Sequence, residues 1–212
     1  SLARVLRAES LAETIVSSSR SDRTLKTALD IGLIDRGYTH AADAVRDADL
    51  IVLAMPVCAT ENVLASIRDV VSPDAILTDV GSTKGNVVDA AARIFGQVPD
   101  RFVPGHPIAG SELSGVLAGR ADLLQRHRVI LTPLPHTQPD ALDRVQRMWE
   151  AAGAEVLRMT VERHDEVLAK TSHLPHFLAF SLVDSLARES QNLDIFRYAA
   201  GGFRDFTRIA GS

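Results

Sequence analysis

Apolar residues follow two rhythms in this chain. Short continuous runs alternate with stretches in which apolar positions recur every three or four residues. The runs are Thr14 to Ser18 and the segments DLIVLAMP (49–56), AILTDV (75–80), RFVP (101–104), RVILTP (128–133) and AEVLRMT (154–160). Such runs suit strands buried on both faces. The spaced stretches suit helices with one apolar stripe. They begin at Leu2, Val5 and Leu6. A helix capped by Ser21 or Asp22 follows, through Leu25, Ala28 and Leu29, and Gly32 closes it. Further helices are expected over Ala41–Arg46, Glu61–Val70 and Val87–Phe95. The last starts at Pro139, carries Leu142, Val145, Trp149 and Ala152 on one stripe, and ends at Gly153. Six alternations of strand and helix predict an α/β fold, a doubly wound parallel sheet with helices on both faces. Beyond Thr160 the pattern changes: Val161 to Arg188 is helical and strand-free. The expected organisation is one domain over 1–160 and the start of an all-helical second domain over 161–212.

Composition narrows the options. The chain has 212 residues, 46% hydrophobic and 24% charged, an ordinary globular balance. The net charge of −4 offers no basic footprint for nucleic acid. The longest apolar run, Leu50 to Ala59, is interrupted by Pro56 and is too short to span a bilayer, so no membrane partner is expected. The single cysteine, Cys58, cannot form an intrachain disulfide and suits a reducing cytoplasm. The first residue is Ser1 rather than methionine, so a true N-terminus upstream is expected.

Ligands of doubly wound sheets sit beyond the carboxyl ends of the strands. Three segments fall there: AMPVCAT with Pro56, DVGSTKG (79–85) and GHPIAGSE (105–112). Gly81 and Ser82 are expected to open a helix, whose free N–H groups favour an anion or a polar ligand edge. Gly105-His106-Pro107 makes poor helix and poor strand, so a turn is expected. There His106, facing the same crevice as Ser82, is a candidate general base. A histidine that merely caps a turn is the alternative. His173 and His176, in SHLPHFLAF, lie i, i+3 on one helical face, and Pro175 is expected to kink that helix. Zinc ligation is a minority reading, because no acidic or cysteine partner stands at metal-site spacing. In GGFRDFTRIAGS, Gly201-Gly202 are expected to break a helix. Arg204 and Arg208 would then stack at i, i+4 if 203–210 is helical. Asp205 can pair with one arginine and leave the other for a carboxylate. A solvated charge cluster is the alternative.

Taken together, DLIVLAMPV, LTDVGSTKG, FVPGHPIAGSE, TSHLPHFLAF and GGFRDFTR resemble, in order and spacing, the prephenate dehydrogenase family, which includes arogenate and cyclohexadienyl dehydrogenases of tyrosine biosynthesis. The resemblance implies a Rossmann-like dinucleotide-binding domain and oxidative decarboxylation of a cyclohexadienol with hydride transfer to NAD or NADP. It implies that His106 hydrogen-bonds or deprotonates the ring hydroxyl and that Ser82 orients it. It places His173 and His176 on the substrate side, Arg208 on a substrate carboxylate, and Asp205 and Glu112 as ionic partners. Family members open with a strand and a glycine-rich turn whose continuation matches Ser1-Leu2-Ala3, and they continue past Ser212 into helices that build a dimer. The chain is therefore expected to be truncated at both ends, and a homodimer is expected through helices beyond Ser212. Ser19 and Arg20 end the second strand of such a fold where NAD-preferring proteins place a carboxylate, which leans the cofactor toward NADP. The rival readings are a two-domain dehydrogenase of 3-hydroxy acids and a non-catalytic nucleotide-binding sensor.

Overall fold

The computed structural model describes residues 1–110, 115–188, 197–198 and 200–211. The chain divides into two units, Ser1–His164 and Asp165–Ser212.

The first unit is built on short parallel strands. β1 (Val16–Ser18) pairs in parallel with β2 (Arg36–Tyr38), Val16 opposite Arg36. β3 (Leu50–Leu53), β4 (Ile76–Asp79) and β5 (Phe102–Val103) form a parallel sheet in that order, with Leu53 opposite Asp79. A third sheet holds β6 (Gly105–Ile108), β7 (Arg128–Leu131) and β8 (Glu155–Arg158). There β7 and β8 are parallel, while β6 runs antiparallel to β7 with His106 opposite Ile130. The helices are α1 (Leu2–Ala8), α2 (Asp22–Asp30), α3 (Ala41–Val45), α4 (Thr60–Ile67), α5 (Gly85–Phe95) and α6 (Pro139–Ala151). α7 (Val161–Leu168) runs across the division between the units.

Alternation along β4 and β5 explains the layering. Leu77 and Phe102 join one apolar cluster with Leu64 and Ile67 of α4 and Val87 of α5. Their neighbours Ile76 and Val103 join the other, with Val129, Leu131, and Val145 and Trp149 of α6. Successive side chains of a strand point to opposite faces, so each buried strand serves two helical layers. Each of these side chains contributes roughly 1.5–3 kcal/mol through burial.

Local signals set the helix ends. The Ser21 hydroxyl caps α2 by accepting the Thr24 N–H at 3.2 Å. Pro139 stands in the first turn of α6. Gly153 follows that helix at φ +83°, a conformation only glycine adopts without strain.

Four expectations for the first unit need correction. β1 starts at Val16, not Thr14, because the Ile15 N–H is turned to the Asp35 carboxylate at 2.7 Å. β2 was unanticipated: Arg-Gly-Tyr has no apolar run, and its pairing with β1 makes it a strand. α5 starts at Gly85, so Gly81 and Ser82 lie in the preceding loop rather than opening the helix. Gly105–Ile108 is a strand, not a turn. β6 is the outer strand of its sheet, where a proline, lacking an N–H, is tolerated.

The second unit is helical. α7 continues into a π turn, Ala169–His173, and then α8 (Leu174–Ala187). Where a kink at Pro175 is expected, this wider turn stands just upstream of the residue that brings no N–H. α9 (Gly201–Thr207) is followed by a 3-10 turn, Arg208–Gly211. Gly201 and Gly202 therefore form the first turn of α9 rather than breaking a helix. First-turn N–H groups have no intrahelical partner in any case. The α-helix ends before Arg208, so Arg204 and Arg208 do not share one α-helix. No helix among the described residues is long and apolar enough to cross a membrane.

Candidate active site

The strand β4 ends in Asp79, whose side chain is buried; Lys84, five residues on, is fully buried. Two buried charges are tolerated only when paired and hydrogen-bonded. Here the Lys84 ammonium pairs with the Asp79 carboxylate and donates to the Gly105 carbonyl at 2.6 Å. Asp79 Oδ1 accepts the Gly105 N–H at 3.0 Å, and Oδ2 accepts the Gly81 N–H at 2.8 Å. The residue before His106 is thus gripped at both its N–H and its C=O. Burial pushes the Asp79 carboxyl up from the usual carboxylate range; the Lys84 ammonium and the Gly105 and Gly81 N–H groups pull it back. Gly105 itself is tightly enclosed: a Cβ would stand 3.1 Å from the Asp79 carbonyl and from Leu131, so a neighbour would have to give way by a few tenths of an ångström. The Gly81 N–H is committed to Asp79 rather than presented to a ligand.

From this clamp the chain delivers His106 into β6, half-buried. Its Nδ1 lies 2.9 Å from Nε2 of His164, with the rings 5.1 Å apart and inclined at 62°. His164 is fully buried on α7. Sequence reasoning passed over it, yet a signal was present: Val161, His164 and Leu168 sit at i, i+3, i+7, and all three are buried. Asp79 and Lys84 were also passed over, because a strand-end aspartate and a loop lysine look like surface charges.

Ser82 is exposed, three residues past Asp79. It lines an open groove of about 440 Å³ with Val57, Cys58, Glu61, Thr83 and Asn86. Pro56 leads out of β3 into a 3-10 turn, Val57–Ala59. Adjacent parallel strands therefore send the Pro56 and Ser82 loops off the same end of the sheet. At the end of β1, the Ser19 N–H donates to the Tyr38 carbonyl at 3.0 Å. Its Oγ accepts the Ser21 N–H at 3.2 Å, which leaves the hydroxyl hydrogen to donate elsewhere. Arg20 is exposed.

In the second unit, His173 ends the π turn and is half-buried; His176 is exposed, its Nδ1 2.8 Å from the Ser172 carbonyl. If that nitrogen donates, Nε2 faces outward as an acceptor. Arg204, Asp205 and Arg208 are exposed on α9 and the turn after it. Glu112 lies outside the described residues. Among the described residues, no group of three or more His, Cys, Asp or Glu could hold a metal ion.

Known proteins give this arrangement a family. Residues 2–158 match the model of the prephenate dehydrogenase nucleotide-binding domain, and residues 160–212 match that of the prephenate dehydrogenase dimerization domain. A cyclohexadienyl dehydrogenase of Zymomonas mobilis is 39% identical over 202 residues, covering 94% of this chain and 67% of that protein. A prephenate dehydrogenase of Bacillus subtilis is 37% identical over 206 residues, covering 93% of this chain but only 54% of its own length. A solved prephenate dehydrogenase from A. aeolicus, in complex with hydroxyphenyl propionate and NAD+, superimposes with a TM-score of 0.90 at 39% identity. That match covers all of this chain and 73% of the other. The chain spans little more than half the length of the Bacillus relative. The chain belongs to the prephenate dehydrogenase family.

Proposed function

We propose that this protein oxidatively decarboxylates prephenate, arogenate or both, passing a hydride to a nicotinamide dinucleotide. The observation that carries the reading is the clamp on Gly105. A buried ion pair and a peptide gripped on both sides hold the His106 backbone still, as an acid–base group with one fixed target requires.

The reaction needs three things of the chain. The ring hydroxyl must lose its proton as hydride leaves the carbon that bears it, and His106 accepts that proton. The imidazole must be oriented, a role for Ser82 from the neighbouring loop. A substrate carboxylate must be held, a role for Arg208 with its planar pair of donors, with Asp205, Arg204 and Glu112 balancing charge. His173 and His176 supply further polar contacts to substrate. The carboxylate on the ring leaves as CO2, and its bonding electrons complete the aromatic ring.

The dinucleotide, when bound, supplies the hydride acceptor. The ends of β1, β3 and β4 suit it chemically: the Ser19 hydroxyl keeps a free hydrogen, Arg20 is an exposed cation, and Pro56, Gly81 and Ser82 border the sheet end. A hydroxyl and a guanidinium favour a 2′-phosphate over a bare ribose, so NADP is accepted at least as well as NAD. The dimerization-domain match supports a homodimer built through the helical region.

The test is absorbance at the reduced-nicotinamide band for full-length protein, with prephenate and arogenate each offered NAD and NADP. Reduced cofactor with at least one substrate, at comparable or better kcat/KM for NADP, is expected. No reduction in any of the four combinations overturns the function; strong preference for NAD overturns the Ser19 and Arg20 assignment.

A further inference from the structure

Two imidazole nitrogens facing each other at 2.9 Å leave room for one proton between them, not two. The pair formed by His106 Nδ1 and His164 Nε2 therefore has two arrangements. In one, His164 donates, and His106 then carries its own proton on Nε2. In the other, His106 donates from Nδ1 and its Nε2 carries no proton. Only the second can take a proton from a hydroxyl. A histidine side chain left to itself in water favours the Nε2–H form, the wrong one for this task. Something must hold the proton on Nδ1.

We propose that His164 is the positioning residue that fixes His106 in its Nδ1–H tautomer, so that Nε2 carries no proton of its own when it takes one from the substrate hydroxyl. This rests on the functional reading above and deepens it. His164 is suited to the role because it is fully buried and carried on a helix. Its backbone N–H donates to the Thr160 carbonyl at 2.9 Å, at the start of α7. Its ring meets His106 at 62°, near edge-on, with Nε2 2.9 Å from His106 Nδ1. Once His106 has taken the second proton, its Nδ1–H becomes a charge-assisted donor to His164, and the same contact strengthens as the reaction proceeds. Such a contact contributes to turnover rather than to binding. His164 touches neither substrate nor cofactor in this assignment; it acts through His106.

The experiment pairs two variants with two readouts on full-length protein. Nitrogen-15 NMR of labelled histidine reads the His106 tautomer directly. His164→Leu removes the acceptor; His164→Gln keeps one, since its amide oxygen can accept in place of the ring nitrogen. The expected result is Nδ1–H in wild type and the Nε2–H form in His164→Leu. With it, kcat should fall on the order of 10–100-fold, the scale of loss when the partner that orients a metal-bound histidine is removed, while KM changes little. His164→Gln restores the Nδ1–H form and most of kcat. An Nε2–H tautomer in wild type overturns the proposal. So do equal losses in both variants with an unchanged tautomer, which would mean that His164 only fills space. If wild type turns over neither prephenate nor arogenate, the functional reading fails while the spectrum still decides the tautomer.

Discussion

Trp149, on α6 of the first unit, is 1% exposed, whereas Phe177, on α8 of the second, is 68% exposed. Both are large aromatics in the interior of a helix. Trp149 packs with Val129, Leu131, Val145 and other residues that the same unit supplies. Around Phe177, the side chains of Leu174, Leu178 and Phe180 are each about half exposed as well. The first unit is a domain that closes its own core. The second is a set of helices whose apolar surface the described residues leave largely open, in the stretch matched by a dimerization domain. The proposed roles divide the same way: the proton acceptor belongs to the first unit, the holder of the substrate carboxylate to the second. Variants of the first should therefore move turnover and stability, and variants of the second should move substrate binding and association.

The largest effect is expected at His106. His106→Asn should lower kcat by roughly 10²–10⁴-fold in steady-state assays, with modest change in KM. Near-normal kcat would remove the chemistry from the first unit. Next is Lys84→Met, which strands the Asp79 carboxylate in the core and should cost about 3–5 kcal/mol in urea unfolding. Adding Asp79→Asn should recover part of that loss, and failure to recover any would mean that the two side chains do not act as a pair. Arg208→Ala should raise KM on the order of 10–100-fold, the worth of a charge-assisted hydrogen bond, with Arg208→Lys recovering only part. A loss in kcat alone would break the division of labour. The smallest effect is expected at Phe177. Phe177→Ala should change the stability of the first unit by less than about 0.5 kcal/mol, as exposed positions do, while weakening self-association in sedimentation. A large drop in the first unit's unfolding midpoint would erase the contrast between the units.

The strands AILTDV and RVILTP were legible because burial on both faces leaves an unbroken apolar run. α6 was legible because one buried face leaves a stripe. β2 and β6 were not. Arg36–Tyr38 and Gly105–Ile108 become strands through their partners, and neither carries a run or an alternation of its own. His106 stood out because glycine and proline flank it. His164 did not, because a histidine inside an amphipathic stretch reads as one more polar residue until its burial is known. The clamp was invisible for a related reason: the Asp79–Lys84 pair is local, but its purpose lies at Gly105, 21 residues beyond Lys84.

That clamp also limits how the sequence can drift. Replacing Asp79 or Lys84 alone leaves a lone buried charge, and a Cβ at Gly105 would press on the Asp79 carbonyl and Leu131 at 3.1 Å, so that a neighbour must give way. A neutral, well-packed substitute for the charged pair can be as stable as the pair itself, but only once both changes are present. The three positions are therefore coupled in inheritance. A lineage can leave this arrangement only through an intermediate with a weakened core and a loosened His106 backbone, so this segment has far less freedom to change than the exposed residues of the second unit.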